Sequence, residues 1–274
     1  MGTYICHLRN AETLLEEMQD LDEAAFLFGN LAPDAGIPNQ DWTQFDPPRT
    51  VTHFLSSAQD AERFDDLVFY RGYLQAVDKL KECPRYSFRL GYFIHLICDN
   101  LWSLWVVEAT KKYHQCMIAT QGEQAWDLFK QDWHDLDRKF IHDHPGSRHW
   151  QIMLSAKQPR SYLEYLPDEA IEGQRAHIRD IYIKPNPERG LDRRYPYLNE
   201  ASMNHFVEQS TGVVLEILSQ VERLSHMRTD LSALSMLPDG KLQPFEAPLG
   251  DAKCKPNQPA WATEAGNSIE RFCA

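Results

Sequence analysis

A histidine and an aspartate stand four residues apart in the most apolar stretch of the chain. His95 and Asp99 belong to the segment Gly-Tyr-Phe-Ile-His-Leu-Ile-Cys-Asp at residues 91–99. On a helix, residues four apart project from the same face, so these two side chains can contact one object. A buried aspartate is costly unless its charge is compensated. Two interpretations follow: a metal ion bound by both side chains, or an ion pair between His95 and Asp99 in the core.

Three further residues favour the metal ion. His7 opens the first predicted helix, Asp34 lies in a loop rich in proline and glycine, and His53 follows a second irregular stretch. Taken singly, each has an ordinary explanation, such as a partly exposed histidine, an Asx-turn or a helix cap. Together with His95 and Asp99 they form a set of nitrogen and oxygen donors that suits zinc. We therefore predict a metal site built from these residues, with iron or manganese as alternative metals.

Four segments of the chain resemble the zinc-dependent phospholipase C family, to which the fungal single-strand nucleases are related. The resemblance covers about residues 1–140 and implies an all-α fold around a cluster of up to three zinc ions. The segments are Ile-Cys-His ending at His7, Phe-Leu-Phe-Gly-Asn-Leu-Ala-Pro-Asp ending at Asp34, Val-Thr-His-Phe around His53, and Leu-Gly-Tyr-Phe-Ile-His-Leu-Ile-Cys-Asp ending at Asp99.

The resemblance assigns a role to each predicted ligand. It implies that Asp34, His53, His95 and Asp99 bind one zinc, and that Asp99 bridges to a second metal that His7 also binds. It further implies that Asp34 acts as the base that orients the nucleophile. The family has a tryptophan ligand at its mature N-terminus where this chain begins Met-Gly, and the His…His-x-x-x-Glu set of its third zinc is missing. We therefore predict one or two ions.

Other histidines and aspartates leave alternatives open. Some could replace the missing ligands of a third zinc, and a His-x-His pair with a nearby histidine could chelate, although such a pair on an irregular segment is typical of solvated surface. Four tryptophans fall on helix faces and are predicted to be core. The replacement ligands are Asp132, His134 and Asp137, the remaining histidines are His142, His144, His149, His177 and His205, and the tryptophans are Trp102, Trp105, Trp126 and Trp133.

Helical periodicity dominates the chain, and alternation typical of strands is nearly absent, so we predict an all-α fold. We expect residues 1–237 to form one metal-binding domain, in which 142–198 is an irregular insertion or a wall of the site. Residues 238–274, rich in proline, are expected to be a loosely ordered tail. The predicted helices are 7–18, 60–82, 86–113, 122–141, 167–180 and 199–226, and an apolar run at 24–28 leads into a shaped loop at 29–38.

The composition excludes some classes of protein. The formal net charge is −12 and the basic residues are dispersed, whereas a protein that binds extended nucleic acid needs a basic stripe. No apolar stretch approaches the length of a membrane span, and no leader or lipidation pattern is present at the start. We therefore expect a cytoplasmic protein. The six cysteines form no CxxC pair, which favours free thiols over a disulfide framework.

These observations predict a metal-dependent hydrolase of phosphoester bonds that acts on a small soluble or lipid-derived substrate. Zinc lowers the pKa of bound water to about 7 and polarises the ester under attack. Loop 35–52 and segment 142–198 are the predicted walls, and Arg189, Arg193 or Arg194 is the predicted phosphate clamp. The rival hypotheses are an iron- or manganese-dependent lyase or oxygenase, and a binding protein with a structural zinc. The oligomeric state is left open.

Overall fold

The structure is a computed structural model that describes residues 1–41, 43–55, 63–157, 159–183, 190–226, 229–246 and 249–250. It confirms the all-α class, since the described strands β1 (Ile37–Pro38) and β2 (Phe45–Asp46) form only a short antiparallel hairpin. The helices are α1 (Tyr4–Glu17), α2 (Glu23–Leu31), α3 (Arg49–Thr52), α4 (Asp66–Phe69), α5 (Cys83–Trp102), α6 (Glu108–Tyr113), α7 (Gln115–Gln121), α8 (Glu123–Asp143), α9 (Arg148–Ser155), α10 (Asp168–Ile183), α11 (Glu200–Leu218) and α12 (Val221–His226).

Helix α5 is the centre of the protein. Pro84 stands in its first turn, where proline costs no hydrogen bond, and every residue from 90 to 102 is buried. This agrees with the apolar residues found on all sides of the helix, because a helix that is apolar all round is buried all round. A π-helical turn, Ser103–Val107, joins α5 to α6, so the two helices continue one another as the predicted helix 86–113.

Helices α2 and α5 approach each other through glycines. A Cβ atom on Gly29 would lie 2.0 Å from the carbonyl oxygen of Phe88, and one on Gly91 would lie 2.2 Å from that of Phe26. No side chain fits at either position, so the two backbones are in direct contact. This contact fixes α2, and the residues that follow it, against the helix that carries His95.

Some predicted elements differ in the structure. The predicted helix 60–82 is present only as α4 and a π-helical turn, Tyr70–Leu74, and residues 56–62 lie outside the described residues. The Asp78 carboxylate accepts a hydrogen bond from the Leu80 backbone N–H, which forms a turn where the helix was expected to continue. The run at 24–28 is part of α2, which extends to Leu31. Segment 142–198 contains α10, which corresponds to the predicted helix 167–180, and is more regular than expected because it also contains α9.

The predicted tail is ordered where the structure describes it. The indole Nε1–H of Trp105 donates to the carbonyl oxygen of Lys241 at 2.9 Å, and the ring of Phe245 stacks on that of Trp105. The backbone N–H of Asn199 donates to the carbonyl oxygen of Leu249 at 2.7 Å. Residues 239–246 and 249–250 therefore contact the helices, in contrast to the expected loose tail from 238. Residues 251–274 lie outside the described residues.

One stretch of the described residues, Cys83–Tyr113, is long and apolar enough to cross a membrane by length and composition. Its most apolar window has a mean hydropathy of 1.3, and 83% of that window is buried inside the protein. Core helices pass the same test, so the observation is weak evidence for a membrane span. The expected absence of a span, and the cytoplasmic location, stay predictions.

Candidate metal centre

The predicted ligands come from four separate parts of the fold, and the structure brings them together. Asp34 ends the 3-10 turn Ala32–Asp34 that follows α2, and His53 follows α3 directly, with its backbone N–H donating to the Arg49 carbonyl oxygen at 2.9 Å. His95 and Asp99 lie one turn apart on α5, and His7 lies on α1. The side chains of the three histidines and of Asp99 are at most 1% exposed, and that of Asp34 is 6% exposed.

Several donor atoms are spaced as the ligands of a metal ion would be. Nε2 of His53 lies 3.2 Å from Oδ1 of Asp34 and 3.6 Å from Oδ2 of Asp99. Nε2 of His95 lies 3.3 Å from the same Oδ2. Bonds of about 2.0–2.2 Å in a tetrahedron place neighbouring ligands about 3.4 Å apart. These three distances therefore match those between neighbouring ligands, and Asp34, His53 and His95 form one group of donors that could hold a metal ion.

The same atoms lack other partners. Nε2 of His53, Nε2 of His95 and Oδ2 of Asp99 are buried, and none of them makes a hydrogen bond within the described part of the chain. They lie close to one another but not in hydrogen-bonding geometry. Buried polar atoms are almost always satisfied, because an unsatisfied one is costly. A bound cation would satisfy all of them at once, so this observation supports the fit.

Neighbouring groups orient the imidazoles. His95 Nδ1 lies 2.8 Å from the carbonyl oxygen of Asn30, which can only accept, so Nδ1 carries a proton and Nε2 faces the cluster. His53 Nδ1 lies 3.1 Å from the hydroxyl of Thr52, whose carbonyl oxygen accepts from Tyr92. Ligand histidines characteristically use their second nitrogen in this way.

His7 belongs to a second group of donors, with His95 and Asp99, that shares His95 with the first group. Its Nε2 lies 3.2 Å from Oδ1 of Asp99, and its ring stacks on that of His95 with 3.8 Å between centroids. The backbone N–H of Gly2 also donates to this Oδ1, at 2.8 Å. His7 therefore faces Oδ1 of Asp99, whereas His53 and His95 face Oδ2. The oxygen it faces already accepts one hydrogen bond.

The protonation states of Asp34, Asp99 and His7 suit metal binding, whereas the charge of Asp99 outweighs burial and raises the pKa of His95. Burial alone would raise the pKa of Asp99, but the charge of His95 and the contact with His7 hold it well below its usual value. The pKa of Asp34 is also lowered, since its interactions with His53 and His95 outweigh burial. Burial, followed by the charge of His95, lowers the pKa of His7. Both aspartates are therefore ionised and His7 is neutral at pH 7, as ligands must be.

A cavity of about 180 Å³ opens onto one side of the centre. Its wall is mostly apolar, and it reaches Asp34 and His53 but not the deeper His95 and Asp99. Tyr4 stands in this wall with its pKa raised to about 12 by burial and by the charge of Asp34, so its phenol keeps its proton. The lining residues are Met1, Tyr4, Pro33, Asp34, Ala35, Phe45, Pro47, Arg49, Thr52, His53, Gln174 and His177.

The replacement ligands for a further zinc have other partners or lie in neither donor group. Asp132 accepts from Arg193 and from the backbone N–H of Tyr197, at 2.7 and 2.8 Å. Asp137 accepts from Thr3 at 2.7 Å and from a tyrosine of α10 at 2.6 Å. Among the described residues, His134 belongs to neither group of donors.

The histidines of the His-x-His cluster differ in their exposure to solvent. His142 and His144 are exposed, as expected for solvated surface. The same expectation is wrong for His149, which is fully buried, with its Nδ1 in contact with the Glu12 carboxylate. The reason is that α9, which is absent from the sequence-based prediction, packs against α1.

The predicted phosphate clamp is not at the cavity. Arg193 is held in ion pairs with Asp132 and Asp135, at 2.7 and 2.8 Å. Arg194 is not among the lining residues, and Arg189 lies outside the described residues. The cavity instead contains Arg49, Gln174 and His177, which sequence reasoning missed. The only available signals were an arginine one turn before His53 and the i, i+3 spacing of Gln174 and His177.

Comparison of the chain with family models finds no match, and comparison with curated proteins and with solved structures finds none either. The resemblance to zinc-dependent phospholipases C therefore stays a prediction that is based on the four sequence segments. The all-α fold and the buried histidine and aspartate cluster are independent of that resemblance.

Proposed function

We propose that the protein is a metal-dependent hydrolase of phosphoester bonds, with zinc as the metal and a small soluble or lipid-derived substrate. One observation carries the proposal: buried donor atoms without hydrogen bonds converge at the inner end of a cavity. A cavity large enough for part of a small molecule gives a substrate access to the centre, whereas structural zinc sites are closed.

In this proposal some residues would bind the ion, and others would assist the reaction. Asp34, His53, His95 and Asp99 would hold one ion, and His7 is available to a second on the other oxygen of Asp99. Zinc bound there would polarise the phosphoester and lower the pKa of water to about 7. Asp34 lines the cavity and is ionised, so its carboxylate can accept a proton from an attacking water. Tyr4, which keeps its proton, can donate a hydrogen bond to a substrate oxygen.

A second candidate function has its own support. Asp34, His53 and His95 form one of the two donor groups, and this set of two histidines and one carboxylate is the ligand set of many non-haem iron oxygenases. Iron or manganese in this group would favour a lyase or oxygenase. A binding protein with a structural zinc is the third reading, and the access that the cavity gives to Asp34 argues against it.

Element analysis and turnover separate these functions. We expect about one or two equivalents of zinc per chain and hydrolysis of an activated phosphodiester or phosphomonoester. Asp34→Asn should abolish turnover and retain at least one metal ion. Iron or manganese in the purified protein would favour the second candidate. Zinc without turnover on a panel of phosphoesters and phospholipids would favour the binding protein.

A further inference from the structure

Apolar side chains form much of the cavity wall. They belong to Met1, Pro33, Ala35, Phe45 and Pro47. Phe45, on β2, lines the cavity and is also 40% exposed to solvent. A Cβ atom on Gly36 would lie 2.9 Å from the Cβ of Phe45, so the glycine allows the aromatic side chain to lie against the chain that follows Asp34. Phe45 therefore contacts both the cavity and the solvent.

The polar side chains of the same wall have partners of their own. The amide of Gln174 forms a hydrogen bond with the phenol of Tyr4, and the ring of Tyr4 meets that of His177 edge to face, with 6.5 Å between centroids. Arg49 and His177 also have other interactions. Polar groups that already have partners leave no desolvation cost for a ligand to recover. Away from the ion, the cavity therefore offers a ligand mainly apolar surface.

The position and size of the cavity indicate which part of a substrate it would hold. A phosphoryl group must contact the ion to be polarised, so it would lie at the end lined by Asp34 and His53. The group attached through an ester oxygen is then left for the rest of the cavity. An apolar cavity of about 150 Å³ holds benzene, so this one, of about 180 Å³, would hold one such ring or an alkyl chain of about six carbons.

We infer that the cavity is a specificity subsite for an uncharged, apolar ester group of this size, with Phe45 as a specificity-determining residue. The inference depends on the proposed function, because it takes the ion as the place of the phosphoryl group. The subsite would select the substrate by the group next to the phosphorus. Phe45 would bind that group and would not hold the metal.

The test measures, by calorimetry, the affinity of the full-length, metal-loaded protein for alkylphosphonic acids from methyl to octyl. These acids have no ester bond, so binding is measured without turnover. Affinity should rise about fourfold for each methylene group that is buried, and should level off near hexyl because a longer chain would extend into solvent. The cationic 2-aminoethylphosphonic acid should bind about tenfold or more weakly than propylphosphonic acid, which has the same length, since its ammonium group would lose hydration.

Variants of Phe45 test its role. Phe45→Ala should lower the affinity for hexylphosphonic acid by about tenfold and leave that for methylphosphonic acid unchanged. Phe45→Leu should lie between, since it keeps an apolar side chain. Leu128→Ala is the matched control, because Leu128 is 38% exposed and does not line the cavity.

Metal content and thermal melting of every variant are measured alongside. Affinity that does not change with chain length overturns the subsite, and so does binding of 2-aminoethylphosphonic acid as tight as that of propylphosphonic acid. Absence of phosphonate binding by the parent also overturns it. In Phe45→Ala, an equal loss for both acids, or no loss for either, would remove the role of Phe45. If affinity depends on chain length but no phosphoester is hydrolysed, the subsite stands and the hydrolase function fails.

Discussion

Two buried aspartates, Asp66 at the start of α4 and Asp99 on α5, differ in their hydrogen bonds. Asp66 accepts hydrogen bonds from the Ser232 hydroxyl, the Ala233 backbone N–H and the Asn100 amide, at 2.6, 2.7 and 2.9 Å. Asp99 lies on α5 directly before Asn100, and its Oδ2 accepts no hydrogen bond within the described residues. Both side chains are fully buried.

This difference in hydrogen bonding distinguishes a carboxylate that stabilises the fold from one that could bind a metal ion. A buried carboxylate that serves the fold is surrounded by donors, because its desolvation must be offset. A carboxylate that serves an ion is surrounded by other acceptors and by imidazoles, all facing one point. Burial and charge alone therefore do not distinguish Asp99 from Asp66. The absence of hydrogen bonds at Oδ2 of Asp99, and at the neighbouring Nε2 atoms of His53 and His95, distinguishes them among the described residues.

The largest expected loss of metal content and thermal stability is that of Asp99→Leu. If Asp99 is a ligand, this variant should lose metal and melt much earlier, since an ion at a thousandfold above its dissociation constant stabilises by about 4 kcal/mol. An ion pair with His95 predicts a small change, because such pairs barely offset their desolvation. His7→Ala is the control and should be less damaging. Equal metal content and melting temperature in Asp99→Leu and the parent would remove the central ligand of the proposal.

The second expected effect is a dependence of the free energy of unfolding on pH. Burial raises the pKa of Asp66 from 3.8 to about 7 despite its hydrogen bonds. The folded state therefore holds this proton more tightly than the unfolded state. The resulting stabilisation is complete below the unfolded pKa and is lost as the pH rises from about 4 to about 7. Relative to Asp66→Asn, the parent should lose on the order of 2 kcal/mol between pH 5 and pH 8, measured by urea unfolding.

That variant also sharpens the comparison, because Asp66→Asn should keep its full metal content. A pH dependence shared by the parent and the variant would show that Asp66 does not titrate in this range. Loss of metal in Asp66→Asn would show that the two aspartates are not functionally separate.

A smaller effect is expected at the ion pairs of α8. Arg193→Gln leaves the buried Asp132 and Asp135 with fewer donors, and should cost about 1–2 kcal/mol in denaturant unfolding. Metal content and phosphate affinity should stay at the parent values, because these aspartates lie in neither donor group. A tenfold loss of phosphate affinity would instead restore Arg193 as the clamp.

The smallest effect is expected at His142, whose side chain is 74% exposed. His142→Ala should change the free energy of unfolding by less than about 0.5 kcal/mol and leave the metal content unchanged. Metal loss in this variant would mean that the His-x-His pair, and not the buried cluster, holds the ion.

The sequence predicted the parts of the site that depend on local spacing. The i, i+4 pair of His95 and Asp99 on an apolar helix is visible without a fold, and so is most of α5. Asp34 and His53 were joined to that pair by resemblance and not by any local pattern. Arg49 and Gln174 could not be found, since only the folded chain brings α3 and α10 to the wall of one cavity. The same limit explains the errors at α9 and at the docked segment after 238, whose contacts are with residues distant in the chain.

The contact between α2 and α5 has a consequence for how tightly an ion is held. Asn30 accepts from His95 through its carbonyl oxygen and donates from its side chain to the Gly91 carbonyl oxygen at 3.1 Å. The spacing between Asp34 and the donors of α5 is thus set by the main chain and not by mobile side chains. Such preorganisation means that little conformational freedom is left to lose when the ion arrives. In the proposed metal centre, the affinity for an ion would therefore depend in part on Gly29 and Gly91, whose own atoms contribute no ligand.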